Sequence, residues 1–135
     1  MDTNVVVAAL LKDGIVRSTL LRHPKTFACA LESLAEIWEP RDEWNRRGLP
    51  KRDLTKMLRF LVRQTLAVET RRQPAEQVEA LSRVVGDADD APVAALAHGA
   101  KRLWTFNPRG FAGFSGATGV VLLSTGEVLR LLRAG

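Results

Sequence analysis

The sequence predicts an α/β fold in three α/β/α layers, with helices on both faces of a mostly parallel central sheet. Three observations predict it. Short β-branched or aromatic runs alternate along the chain with helical patterns, the signature of β-α-β units. The 135 residues are 46% hydrophobic and 26% charged, a globular composition, and a chain of this size buries about two-thirds of the surface its unfolded form exposes. No segment is repeated or low in complexity, so residues 1–135 read as a single domain.

Residues 4–11 and 15–22 read as one helix interrupted at Gly14, and residues 26–30 as a short buried strand. Residues 31–47 are helical in pattern, with a kink or break at Pro40 because proline lacks the N–H a helix needs. Pro50 suits a first helical position, where that N–H has no partner anyway. The helix it opens carries Leu54, Leu58 and Leu61 on an apolar stripe. Arg52, Lys56, Arg59 and Arg63, spaced four, three and four, form a basic stripe on another face. Residues 66–69 read as a second strand, 71–73 as a turn, and 74–85 as a helix ended by Gly86. Asp87 to Asp90 open an alanine-rich helix that runs to about His98.

Residues 102–106 then read as strand, 107–119 as a loop with glycines at 110, 113, 116 and 119, and 120–123 as the last strand. The glycine run leads into a strand rather than a helix N-terminus, which argues for a flexible connection and against a phosphate cradle. Ser124-Thr125-Gly126-Glu127 fits a capping box, in which serine and glutamate each satisfy a backbone N–H at the start of a terminal helix.

Composition excludes several classes. Cys29 is the single cysteine, which rules out a disulfide framework within the chain and any multi-cysteine zinc site. The longest apolar runs, such as residues 5–11, fall far short of a membrane span, and no charged-then-apolar leader precedes them. A soluble, cytoplasmic protein without membrane contact is the expectation. The net charge of +5 is uneven: positions 41–72 hold ten Lys and Arg against four acids, net +6, while the rest holds ten against eleven, net −1. Such a block suits a polyanionic partner, because each phosphate neutralised releases condensed counterions. A solvated helix face has the same composition.

Parallel strands joined by right-handed crossovers put every strand C-terminus on one rim of the sheet, the rim where open α/β proteins bind ligands. Asp2 would stand there ahead of the first helix, Glu36 in the early turns of the helix after the second strand, Asp87, Asp89 and Asp90 at a helix start, and Asn107 at a strand end. Clustered carboxylates repel one another, and a divalent metal removes the conflict. Oxygen ligands without supporting His or Cys favour Mg²⁺ or Mn²⁺, which can polarise a phosphate and activate a water. Acids on a rim beside a cationic helix form a nuclease layout.

At these residues the chain resembles the PIN-domain family, the fold of many metal-dependent ribonucleases including VapC-type toxins. Asp2-Thr3-Asn4-Val5-Val6-Val7 is similar to the family's first motif, whose Asp binds metal and whose Thr and Asn, here Thr3 and Asn4, support it. Glu36-Ile37 fits the second acidic position. Asp87-Ala88-Asp89-Asp90-Ala91-Pro92 resembles the third, with Asp90 the candidate ligand and Asp87 or Asp89 a cap or support. Leu103-Trp104-Thr105-Phe106-Asn107-Pro108-Arg109-Gly110-Phe111 looks like the strand-end motif, in which Thr105 supports and Asn107 lends an amide oxygen. The resemblance covers nearly the whole chain.

The resemblance implies a three-layer PIN-like fold and an endoribonuclease that hydrolyses RNA with Mg²⁺ or Mn²⁺. Asp2, Glu36 and Asp90 would be its catalytic metal ligands, helped by Asn107. It also implies homodimerisation and, for a toxin, an antitoxin protein. Plainer readings stand beside each assignment. Asp2 can favour a helix start through the dipole alone, Asp87, Asp89 and Asp90 can be helix caps, and Asn107 can shape a turn ahead of Pro108. Glu32 and Glu39 rival Glu36, and the stripe Arg52, Lys56, Arg59 and Arg63 can guide RNA or meet another subunit. His23 and His98 read as helix-end residues, Cys29 as an inert core thiol, and Trp38 and Trp44 as core or dimer contact. A single residue before Asp2, and Gly110 where the family commonly has an acid, motivate a rival: a degenerate PIN domain that binds RNA or a protein without cutting. A nucleotide-binding Rossmann protein is disfavoured, since no Gly-x-Gly-x-x-Gly follows a strand.

Overall fold

The computed structural model describes residues 1–39, 46–48 and 51–134. The readings made at Pro40, Trp44 and Pro50 lie outside the described residues. The chain opens with two helices, α1 (Thr3–Leu11) and α2 (Ile15–Arg22), separated near Gly14, whose extended backbone starts α2. The Arg17 guanidinium turns back to donate to the carbonyls of Ala9 and Leu10, so the orphan acceptors at the end of α1 are met by a cation.

Strand β1 (Ala28–Ala30) runs directly into α3 (Leu31–Trp38). Helix α4 (Lys51–Gln64) buries Leu54 and Leu61 fully, leaves Leu58 half-buried, and keeps Arg52, Lys56, Arg59 and Arg63 exposed, as the two stripes predict. Strand β2 (Ala67–Glu69) pairs in parallel with β1, Cys29 facing Val68. Helix α5 (Ala75–Ser82), a short 3₁₀ turn (Ala88–Asp90) and α6 (Ala91–Ala100) lead to β3 (Arg102–Trp104). Lys101 closes α6 in the left-handed region at φ 67°.

Residues 107–119 are not a loop. Helix α7 (Pro108–Thr118) fills the span, and β4 (Val121–Leu123) follows, parallel to β3 with Leu103 facing Leu122. The helix has every local signal: Asn107 caps it by accepting from the Gly110 N–H at 3.3 Å, Pro108 is its first residue, and Gly119 ends it at φ 77°. Phe111 and Phe114, three apart, bury one face completely. The glycines serve packing. A Cβ on Gly113 would stand 2.8 Å from the Val84 carbonyl oxygen, and one on Gly86 would meet Gly110 Cα at 3.2 Å. Helix α8 (Thr125–Ala134) completes the chain behind the predicted capping box, Ser124 N–H donating to Glu127 Oε1 and Glu127 N–H to Ser124 Oγ, both at 3.2 Å.

The protein is therefore mixed α/β and mostly helical, with both strand pairings parallel. Among the described residues the strands form two two-stranded sheets rather than one. Met1 and Asp2 bridge them: the Met1 ammonium donates to the Ala28 carbonyl of β1 at 3.0 Å, and the Asp2 N–H donates to the Trp104 carbonyl of β3 at 2.9 Å. The core divides into two hydrophobic clusters. One joins α1, α2, α3 and α4 through Val5, Val6, Leu10, Leu20, Ile37 and Leu61, and the other packs α6 alanines on Leu103, Phe111 and Phe114. Cys29 is buried, and that burial pushes its thiol up to about 11, so it stays protonated and inert. No described helix is long and apolar enough to cross a membrane.

Candidate functional site

Asp2 precedes α1, yet its side chain makes no capping hydrogen bond. Instead the buried Thr105 hydroxyl donates to Asp2 Oδ2 at 2.8 Å and itself accepts from the Asn107 N–H at 3.0 Å. These contacts span almost the whole chain and fix one carboxylate oxygen, so the helix-start reading of Asp2 does not account for its side chain. Thr3 is also buried, and its hydroxyl donates to Ser33 Oγ at 2.8 Å, pinning α1 to α3. Ser33 sits one turn before Glu36, so this contact orients the helix that presents Glu36. Asn4 is exposed.

Glu36 is exposed on α3, and Asp90, half-buried, stands where the 3₁₀ turn enters α6. Burial and then the charges of Asp89, Asp90, Asp2 and Asp87 raise the Glu36 carboxyl above its usual range. Burial, followed by Asp2, Asp87 and Asp89, raises Asp90 to about 6. Acids from the chain start, from α3 and from the 3₁₀ turn thus lie within electrostatic reach of one another, with no cation among the groups that shift them. Asp87 is the cap, its Oδ1 accepting from the Asp89 N–H at 3.0 Å, while the Asp90 side chain makes no cap bond. Asn107 has its amide oxygen engaged in capping α7.

A cavity of about 380 Å³ adjoins this cluster, with Glu32, Glu36, Glu39, Asp89 and Arg72 in its lining. Glu32 Oε2 accepts from the Gln73 N–H at 3.0 Å, and its other oxygen is buried without a hydrogen-bond partner among the described residues. Ser33 and Arg72 escape sequence reading because their neighbours come from distant segments, whereas Glu32 stood beside Glu36 as a rival. The spacing of Glu32 and Glu36, one helical turn apart, was the available signal for Glu32.

No family model, curated protein or solved structure matches the chain. The site rests on its own geometry.

Among the described residues no three His, Cys, Asp or Glu side chains stand close enough to hold a metal ion as placed. The donor chemistry is that of a hard divalent cation: oxygen only, several acids, and mutual repulsion that a cation relieves. Asp2 is fixed by Thr105, whereas Glu36 is exposed and the Asp90 side chain makes no cap bond. Arg52, Lys56, Arg59 and Arg63 lie on the solvent face of α4, accessible to a polyanion.

Proposed function

We propose that the chain is a PIN-like endoribonuclease that uses Mg²⁺ or Mn²⁺ to hydrolyse RNA phosphodiester bonds. The observation that carries this reading is that the charge of Asp2, held by Thr105, acts on both Glu36 and Asp90, which come from two other segments. The parallel strand pairs with their flanking helices are in keeping with a three-layer α/β/α arrangement. The biological setting we favour is a cytoplasmic toxin, homodimeric and opposed by an antitoxin protein.

Asp2, Glu36 and Asp90 would hold the ion, and Thr105 keeps Asp2 aimed. The ion would polarise the scissile phosphate and lower the pKa of a bound water. The exposed cations of α4 draw the RNA backbone toward the acids, whose own charge would otherwise repel it. Purified protein, RNA and Mn²⁺ test the reading against a Glu36→Gln control. Cleavage by the native chain that falls more than about 100-fold in the variant supports it.

A second reading, an RNA- or protein-binding module without catalysis, is favoured by the open arrangement of the acids and by the engaged Asn107 amide. Retained RNA binding with no cleavage in either protein supports that second reading.

A further inference from the structure

Thr105 and Ser124 follow β3 and β4 at the same end of a parallel pair, and Thr105 touches the acidic site. Between them lies a cavity of about 450 Å³. Phe106, Pro108, Leu122 and Leu123 give it apolar walls. Phe106 is 47% exposed, one residue from the hydroxyl that holds Asp2. An exposed phenyl ring at a strand end contributes nothing to the two hydrophobic clusters, neither of which includes it.

Part of the polar lining is already engaged. Ser124 and Glu127 bond each other's backbone N–H, and the Thr125 hydroxyl accepts from Trp104 Nε1 at 3.2 Å. The hydrogen bonds from Ser124 hold the Glu127 carboxyl below its ordinary range, so it stays ionised at neutral pH. Arg130 also acts on this carboxylate, so charge alone does not select the occupant. A flat, polarisable group of one ring system fits the volume and the exposed ring together.

We infer that Phe106 and this cavity form a nucleobase subsite, in which one base of a single-stranded RNA stacks on the phenyl ring beside the scissile phosphate. The inference rests on the ribonuclease reading for its substrate class and extends it to a specific contact. Stacking on a phenyl ring is open to every base, so this contact by itself sets no sequence. Phe106 is a binding residue here, and no bond-breaking role is assigned to it.

The test scans a short fluorescent RNA with one abasic site moved along its length, measuring anisotropy with the native chain and with Phe106→Ala, both in Ca²⁺. The native chain should lose about tenfold in affinity when the abasic site reaches one position, and Phe106→Ala should bind intact RNA about tenfold more weakly and be indifferent to that position. Phe106→Trp should restore both. Equal affinity of native chain and Phe106→Ala, or an abasic profile unchanged by the substitution, overturns the inference while leaving the nuclease reading standing. In Mn²⁺, cleavage by the native chain reports on that reading separately. A native chain that binds no RNA at all overturns both. The thermal midpoint of Phe106→Ala should match the native value, since the ring is exposed.

Discussion

Thr105 and Asp90 carry the most testable chemistry at the scale of single residues. Thr105→Val removes the hydroxyl that donates to Asp2 Oδ2 while keeping the side chain's shape. The expected result is a 10–100-fold weaker response to Mn²⁺, typical of a group that orients a metal ligand, with the fold retained in circular dichroism. An unchanged Mn²⁺ titration would remove Thr105 from the site. For Asp90 the sign follows from its raised carboxyl: between the ordinary 3.8 and about 6, the folded chain binds more protons than the unfolded one. Stability attributable to this group is therefore greatest at low pH and falls as pH rises through that window. Asp90→Asn removes the repulsion, so without divalent ions at pH 7 it should raise the thermal midpoint, at about 4 °C per kcal/mol for a chain of this size. The gain should shrink at pH 4 and in Mn²⁺. A variant that melts at or below the native temperature at pH 7 contradicts the electrostatic account. Asp2, Glu36 and Asp90 could be named as candidates because acids in distinct contexts at predicted strand and helix ends stand out in the sequence. Ser33 and Arg72 could not, since a hydroxyl or a guanidinium acquires meaning only from the partner the fold supplies.

Among the elements, α4 and α7 mark the two extremes of legibility. The stripes on α4 repeat at helical spacing, and the structure leaves the cationic one in solvent. Replacing Arg52, Lys56, Arg59 and Arg63 with Gln should weaken RNA binding and flatten its dependence on salt, read as the slope of affinity against ionic strength. Unchanged affinity would assign that face to a protein partner. The run from 107 to 119 misled because glycine at every third position carries low helix propensity, and the compensating contact is not local. Gly113 allows α7 to lie against the Val84 carbonyl, so Gly113→Ala should destabilise by about 1–3 kcal/mol in denaturant titration, although alanine is the better helix former. A stabilised variant would show that propensity, not packing, governs this helix.

Across the whole molecule, alternating strands and helices were readable from composition shifts, and the parallel pairings follow from the long crossovers between partners. How the strands divide was not readable: β1 with β2 and β3 with β4, bridged by hydrogen bonds from Met1 and Asp2. The same bridging residue carries the carboxylate that Thr105 fixes, so the placement of Asp2 joins fold to chemistry. The central claim is that Asp2, Glu36 and Asp90 serve one divalent ion once Glu36 and Asp90 turn inward. A crystal grown in Mn²⁺, examined by anomalous scattering, measures this directly. One strong peak about 2.1 Å from carboxylate oxygens of all three residues is the predicted result. A peak bound elsewhere, or ordered Glu36 and Asp90 side chains facing away from Asp2 with no peak between them, would contradict it.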